Sequence, residues 1–251
     1  MGKLEKKVAI VTGASKGIGA SIAKHFAAEG AKVVVNYASS KEDADNVVKA
    51  ITEMGGTAIA IQGDVAKEVD VIRLFDETDR AFGALDILVN NAGVYQFAPI
   101  ELVSEASFHQ HFNVNVLGSL LTIREAVKSF GERGGNIINI SSAVSNTPIA
   151  AASVYSATKA ALDAITISLS KELGGKNIRI NSILPGGVAT EGARSGGIIG
   201  SEMETKMVEN TPLGRIGQPE DIAKVAAFLA SNDAGWVTGE KVTVSGGIYG
   251  M

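Results

Sequence analysis

The sequence predicts an α/β fold: a doubly wound parallel sheet of about seven strands with helices on both faces, forming a single domain over residues 1–251. Short β-branched runs alternate with helix-length segments along the whole chain, the runs are apolar at consecutive positions, and no Pro- or Ser-rich linker interrupts them. Consecutive apolar positions mean burial on both faces of a strand, which a sheet covered by helices provides. Strand–helix–strand repetition then makes neighbouring strands parallel, with right-handed crossovers.

The elements follow in order. Residues 7–11 (KVAIV) read as the first strand, ended by Thr12-Gly13, and residues 15–30 as a helix with Ile18, Ile22, Phe26 and Ala27 on helical spacing. Residues 32–36 (KVVVN) form a second strand, 41–54 a charged amphipathic helix closed by Gly55-Gly56, and 58–62 a third strand. The alternation continues with a helix over 69–82, a strand over 85–90, one long helix over 107–130, a strand over 136–141, a helix over 154–173 and a strand over 178–184. A helix over 219–230 and a strand near 241–244 complete it. Residues 186–211 break the pattern, with six glycines, no clear period and the acidic-polar stretch SEMETKMVEN. Long irregular segments in compact domains are usually functional, so a mobile substrate loop is expected there.

Composition narrows the function. Hydrophobic residues at 45% and charged residues at 20% allow a sizeable core and exclude a charge-rich disordered chain. Twenty-three Lys and Arg against 27 Asp and Glu leave a net charge of −4, which offers nucleic acid or anionic lipid no general attraction. The absence of cysteine removes disulfides, Cys-based zinc sites and thiol nucleophiles. No apolar run approaches the ~20 residues of a membrane span. The opening MGKLEKKVAI carries four charges and resembles no secretory signal, so a cytoplasmic protein is expected. Of the three histidines, His25 falls on the first helix, while His109 and His111 are two apart and point away from each other; no metal site is expected. Trp236 reads as a packing or interface residue.

The turn after the first strand is Thr12-Gly13-Ala14-Ser15-Lys16-Gly17-Ile18-Gly19, a G-x-x-x-G-x-G spacing. Glycines here let the chain turn tightly and let backbone approach a pyrophosphate, while the helix N-terminus supplies N–H groups and positive dipole. This predicts a dinucleotide site of the Rossmann type. Such sites usually carry an acid at the end of strand two to accept bonds from the ribose hydroxyls; here Asn36 and Tyr37 stand there. Without a carboxylate to repel a 2′-phosphate, and with Lys16 in the turn, NADP(H) is expected in preference to NAD(H).

Further along, Ser142 follows the strand over 136–141, and Tyr155 and Lys159 lie four apart on the next helix. That spacing puts phenol and ammonium on one helical face, where the positive charge is expected to lower the tyrosine pKa from its free value of about 10. Ser142, at the carboxyl end of its strand, can hold a substrate oxygen.

Together these motifs resemble the short-chain dehydrogenase/reductase family over essentially the whole chain. Thr12 to Gly19 resembles its TGxxxGxG turn, Asp64-Val65 its adenine-contacting acidic site, Asn90-Asn91-Ala92-Gly93 its NNAG stretch and Tyr155 to Lys159 its YxxxK. The resemblance implies that Asn115 holds a water beside the lysine, that Ser142 polarises the substrate oxygen and that Tyr155 is the proton donor. Lys159 would bind the nicotinamide ribose and tune Tyr155. The segment Pro185, Gly186, Val188 and Thr190 resembles the PGxxxT stretch that contacts the nicotinamide carboxamide. The implied activity is hydride transfer between NADP(H) and a ketone or secondary alcohol, by a carbonyl reductase or alcohol dehydrogenase. The alternatives are a 3-oxoacyl carrier-protein reductase, a sugar dehydrogenase, or a cofactor-binding sensor without turnover. A homotetramer is implied, built by the helices over 107–130 and 154–173 and by the last helix and strand.

Two departures stand out. Val94-Tyr95-Gln96-Phe97 replaces the Ile-Thr-Arg-Asp of carrier-protein reductases, although Arg133 and Lys176 resemble basic positions those enzymes use to hold an acidic carrier. Ser245-Gly246-Gly247 stands where Asp-Gly-Gly is usual.

Overall fold

The computed structural model describes residues 2–248; residues 1 and 249–251 of the expected 1–251 span lie outside the described residues. Seven strands, β1 (Val8–Val11), β2 (Lys32–Tyr37), β3 (Thr57–Gln62), β4 (Ile87–Asn90), β5 (Gly135–Ile140), β6 (Ile178–Pro185) and β7 (Lys241–Val244), form one sheet in the order β3-β2-β1-β4-β5-β6-β7. Every neighbouring pair is parallel. The chain winds outward from β1 to β3 and then returns to β4 beside β1. The order therefore reverses between β1 and β4, and ligands of such sheets bind beyond the carboxyl ends of the strands at that point.

The consecutive apolar residues of the strands have the expected cause. In β1, Ala9 and Val11 join a core with Ile22 and Phe26 of α1 (Gly17–Ala28) and with Ile222 and Leu229 of α9 (Pro219–Ala230). Val8 and Ile10 face the other way. They pack with Leu74 of α3 (Glu68–Phe82) and with Ile123 and Phe130 of α5 (Gly118–Phe130). Phe26 and Phe130 are fully buried, and removing such a side chain from water is worth about 1.5–3 kcal/mol. Helix α2 (Lys41–Glu53) covers the β2–β3 edge through Ala44, Val47 and Ile51.

Two expectations are corrected. The single helix over 107–130 is three pieces: α4 (Glu105–Phe112), a wider π-helical turn over Asn113–Leu117, and α5. The turn widens where Asn115 turns its amide inward to bond both backbone groups of Val94, with Val94 N–H donating to Oδ1 at 2.8 Å and Nδ2 donating to the Val94 carbonyl at 2.9 Å. Periodicity does not register one extra residue in a turn; such insertions cluster at functional sites. The segment 186–211, expected to be irregular, contains α7 (Glu191–Ser195) and α8 (Glu202–Glu209). Thr190 and Ser201 cap these helices by accepting from Ala193 N–H and Met203 N–H, a local bonding pattern that short helices need and that hydrophobic period does not register.

Helix α6 (Ser153–Leu173) is unusual in what it buries. Ser156, Thr158, Lys159, Asp163 and Thr166 face inward with Leu162, while Ala157, Ala160, Ala164 and Ile167 face outward. Buried polar groups mostly find partners, and here Ser156 Oγ and Asp163 Oδ1 are the atoms of this face left without one.

Candidate active site

Beyond the carboxyl ends of β1 and β4 lies a cavity of about 740 Å³. The glycine turn forms one end. Gly13 has φ +59°, and a Cβ there would stand 2.8 Å from Ala92 Cα, so only glycine fits between the turn and the stretch after β4. Asn91 braces this junction by donating from Nδ2 to the carbonyls of Thr12 and Gly13, at 2.9 and 3.0 Å. Gly19 leaves room for that amide, which a Cβ would strike.

Of the expected cofactor residues, Gly13, Ser15, Lys16, Gly17, Ile18, Asn36, Asp64, Val65, Asn91, Ala92, Gly93, Pro185, Gly186, Val188 and Thr190 line this cavity, with Ser142, Tyr155 and Lys159. Gly19 and Asn115 sit behind it. The buried Asn115 amide also donates to Thr158 Oγ1 at 3.0 Å, which ties the π-helical turn to the helix that carries Lys159. Asn36 is likewise buried. Its Oδ1 accepts from Gly13 N–H at 3.3 Å and its Nδ2 donates to the carbonyls of Ile61 and Gly63, at 3.3 and 3.1 Å. It holds the turn against β3; the residues exposed beyond it are Ala38 and Ser39.

Tyr155 and Lys159 sit one turn apart at the cavity floor, but the ammonium does not touch the phenol oxygen. Lys159 Nζ donates to the Ile140 carbonyl at 2.8 Å and lies 5.7 Å from the centre of the Tyr155 ring. Burial pushes the Tyr155 phenol up to about 12, partly offset by the Ser142 hydroxyl and reinforced slightly by Tyr95. That corrects the expected lowering. Burial takes the Lys159 ammonium down to about 8, with Asp163 acting the other way. At neutral pH the protein groups by themselves hold Tyr155 as the phenol and Lys159 as the ammonium.

The other end of the cavity is apolar. Tyr95 and Phe97 stand edge-on to Tyr155, each with ring centres 6.2 Å away, and Val144, Ile149, Met203 and Met207 complete the wall. His111 fixes this wall. Its Nε2 accepts from Gln96 N–H at 3.0 Å, between the two aromatic residues, and its Nδ1–H donates to the Ser107 carbonyl at 2.7 Å. Sequence reading treated His111 only as a poor metal ligand and missed this role, along with Ser145, Asp163 and Thr158. A buried polar residue on an otherwise apolar face was the one signal available.

Arg133 donates to the carbonyls of Leu85 and Ser129, at 3.1 and 3.2 Å, so its guanidinium is engaged in the fold. Ser245 Oγ donates to the Ile248 carbonyl at 3.3 Å, and its Cβ lies where a Cβ on Gly186 would fall within 2.8 Å. Trp236 is fully exposed and packs on nothing among the described residues. No group of three metal-ligating side chains occurs among the described residues.

The arrangement fits a dinucleotide on its own geometry. Gly17 N–H, at the start of α1, already donates to an anionic group, Glu191 Oε2 at 2.8 Å, as a helix N-terminus does for phosphate. A glycine turn at the switch point, a Tyr–Lys pair on the cavity floor and a serine beside them define the class: an oxidoreductase using a nicotinamide dinucleotide. The comparisons agree. A family model described as enoyl-(acyl carrier protein) reductase matches residues 13–249. An uncharacterized oxidoreductase of Methylorubrum extorquens is 58% identical over 248 residues, spanning 99% of this chain and 100% of that one. A solved 7α-hydroxysteroid dehydrogenase, complexed with NADH and 7-oxo glycochenodeoxycholic acid, is similar at TM-score 0.92 and 38% identity over 97% of this chain and 94% of that one. An angucycline C-6 ketoreductase with bound NADP is similar at TM-score 0.93 and 34% identity, over 99% and 97%. The chain belongs to the short-chain dehydrogenase/reductase family.

Proposed function

We propose that the protein is an NADP(H)-dependent carbonyl reductase for neutral, largely apolar ketones. The observation that carries this reading is that Ser142, Tyr155 and Lys159 lie at the junction between a glycine-lined groove and an aromatic pocket within one cavity. The dinucleotide, when bound, supplies the hydride in reduction and accepts it in oxidation. Residues of the 13–19 turn hold its pyrophosphate, Asp64 and Val65 its adenine, Asn91 to Gly93 with Tyr155 and Lys159 its nicotinamide ribose, and Pro185 to Thr190 its carboxamide.

Ser142 donates to the substrate oxygen, and Tyr155 delivers its hydroxyl proton to that oxygen as the carbonyl carbon is reduced. At neutral pH the Tyr155 hydroxyl, pushed up to about 12 by burial, carries the proton that reduction requires. Lys159, held by the Ile140 carbonyl one helical turn beyond Tyr155, anchors the cofactor side of the site. Asn115 shapes the floor through Val94 and Thr158.

Substrate class follows from the lining. The charged lining residues Lys16, Asp64 and Lys159 all belong to the cofactor side, and the wall beyond Tyr155 offers no charge for a sugar acid or a phosphate. The aromatic stretch at 94–97 speaks against an acidic carrier protein as partner. The 7-oxo steroid named for one structural neighbour and the angucycline named for another are bulky ketones of the kind this wall suits. For cofactor preference, residues 36–40 (NYASS) include no carboxylate, and the exposed Lys16 stands at the cavity rim. The segment 186–211 serves as the substrate lid, since Ile198, Met203 and Met207 from it line the pocket. The exposed apolar residues Phe108, Leu117, Leu120 and Ile167 support a homotetramer, and the absence of cysteine fits the cytoplasm. No helix among the described residues is long and apolar enough to cross a membrane.

Tyr155→Phe tests the chemistry. It keeps the ring and its packing, so NADPH binding should survive while turnover of aromatic ketones falls by the ~10²–10⁴ expected for a lost general acid. A Tyr155→Phe enzyme that binds NADPH and retains normal kcat would refute the reading.

A further inference from the structure

Asp163 lies one turn beyond Lys159 on α6 and is only 4% exposed. Its Oδ1 has no hydrogen-bond partner, while its Oδ2 accepts from the Ser145 hydroxyl at 2.6 Å. That hydroxyl also faces the Ser142 carbonyl at 2.9 Å, so its one proton is shared between the carboxylate and the Ser142 backbone. Ser145 N–H donates to the same carbonyl at 3.0 Å.

These bonds join two elements. Tyr155 and Lys159 ride on α6, whereas Ser142 begins the short 3₁₀ turn, Ala143–Ser145, that follows β5. Lys159 Nζ on the Ile140 carbonyl, and Ser141 Oγ donating to the Lys159 carbonyl at 3.3 Å, tie α6 to the chain before Ser142. Among the described residues, the Ser145–Asp163 bond is the side-chain hydrogen bond that joins α6 to the turn Ala143–Ser145. A buried carboxylate with one unpaired oxygen costs stability, and packing alone would be served better by an apolar side chain at that position.

We propose that Asp163, acting through Ser145, is a positioning residue for Ser142. It fixes the Ser142 hydroxyl at a set separation from Tyr155, so that both meet one substrate oxygen. The proposal rests on the reading above that Ser142 and Tyr155 handle that oxygen. Misplacing a catalytic group by about 1 Å can cost ~10²-fold in rate, so a partial loosening is expected to cost roughly tenfold.

The test is a double-mutant cycle on the full-length enzyme with an aromatic ketone and NADPH. Ser145→Ala should lower kcat roughly tenfold while the NADPH dissociation constant, read by nucleotide fluorescence, stays within about twofold. Ser145→Thr, which restores the hydroxyl, should recover most of kcat. Asp163→Ala should lower kcat at least as far, and adding Ser145→Ala to it should cost nothing more. In a Ser142→Ala background, Ser145→Ala should have no further effect, because the group it positions is gone. Unchanged kcat in Ser145→Ala, or the same tenfold loss added to that of Ser142→Ala, would overturn the proposal. Should Asp163→Ala fail to fold, the Ser145 arms decide alone. An active Tyr155→Phe enzyme would instead sink the reading of the site, so the two failures are distinguishable.

Discussion

Replacing Lys159 with Met should change how the protein's stability depends on pH, by an amount that follows from the burial of the ammonium. Burial takes Lys159 from 10.5 down to about 8, and at 1.36 kcal/mol per unit the charged form costs the fold roughly 3 kcal/mol. The folded chain therefore binds fewer protons than the unfolded chain between about pH 8 and pH 10.5. Stability rises with pH wherever the unfolded state binds more protons, so this cost is fully present below about pH 8 and is relieved above it. Integrated from about pH 7 to about pH 9.5, the relief comes to about 2 kcal/mol. The Met variant has no such group. Its loss of the bond to the Ile140 carbonyl costs about 1–3 kcal/mol at every pH, which cancels much of the gain near neutrality. Urea unfolding of both proteins at the two pH values isolates the difference: the wild-type chain should gain about 2 kcal/mol on the variant at the higher pH. A gap that stays constant within about 0.5 kcal/mol would mean that Lys159 is not buried as an ammonium, and the argument about Tyr155 would fall with it.

Three further outcomes are expected. Lys16→Ala should lower kcat/KM with NADPH by about 10- to 100-fold, the worth of a charge-assisted contact, and leave NADH nearly unaffected; Ala38→Asp should shift preference toward NADH, and equal losses with both cofactors in Lys16→Ala would count against a 2′-phosphate contact. Asn36→Asp is no clean probe of that preference, because it would turn a carboxylate onto the Ile61 and Gly63 carbonyls. Asn115→Ala removes three hydrogen bonds of a buried side chain and should destabilise the chain by about 2–5 kcal/mol in urea unfolding, a prediction that a loss under about 0.5 kcal/mol would contradict. Light scattering should give four times the 25.9 kDa chain mass, with Leu120→Glu plus Ile167→Glu yielding a smaller species; a monomeric mass for the unmodified protein would rule the tetramer out.

Where residues act through backbone geometry close in sequence, the chain was legible before it was folded. Seven strands, the glycine turn and the order of the motifs could be read because burial on both faces makes β-branched runs continuous, and because a tight turn against a neighbouring backbone admits only glycine at Gly13. Tyr155 and Lys159 share a helical face for the same local reason. What only the tertiary structure decided depends on partners far apart in the chain. Asn36 reads as a ribose neighbour at the end of β2, yet carbonyls on β3 and beyond, with an N–H from the glycine turn, take up its amide. The sequence spacing of Tyr155 and Lys159 suggests a lowered phenol pKa, yet the Ile140 carbonyl draws the ammonium aside and burial dominates the phenol. His111 and Asp163 carry no motif at all: one gains its role from Gln96 and Ser107, the other from Ser145. A buried polar group is defined by the partner that compensates its lost water, and across a wound sheet that partner is set by topology rather than by sequence distance.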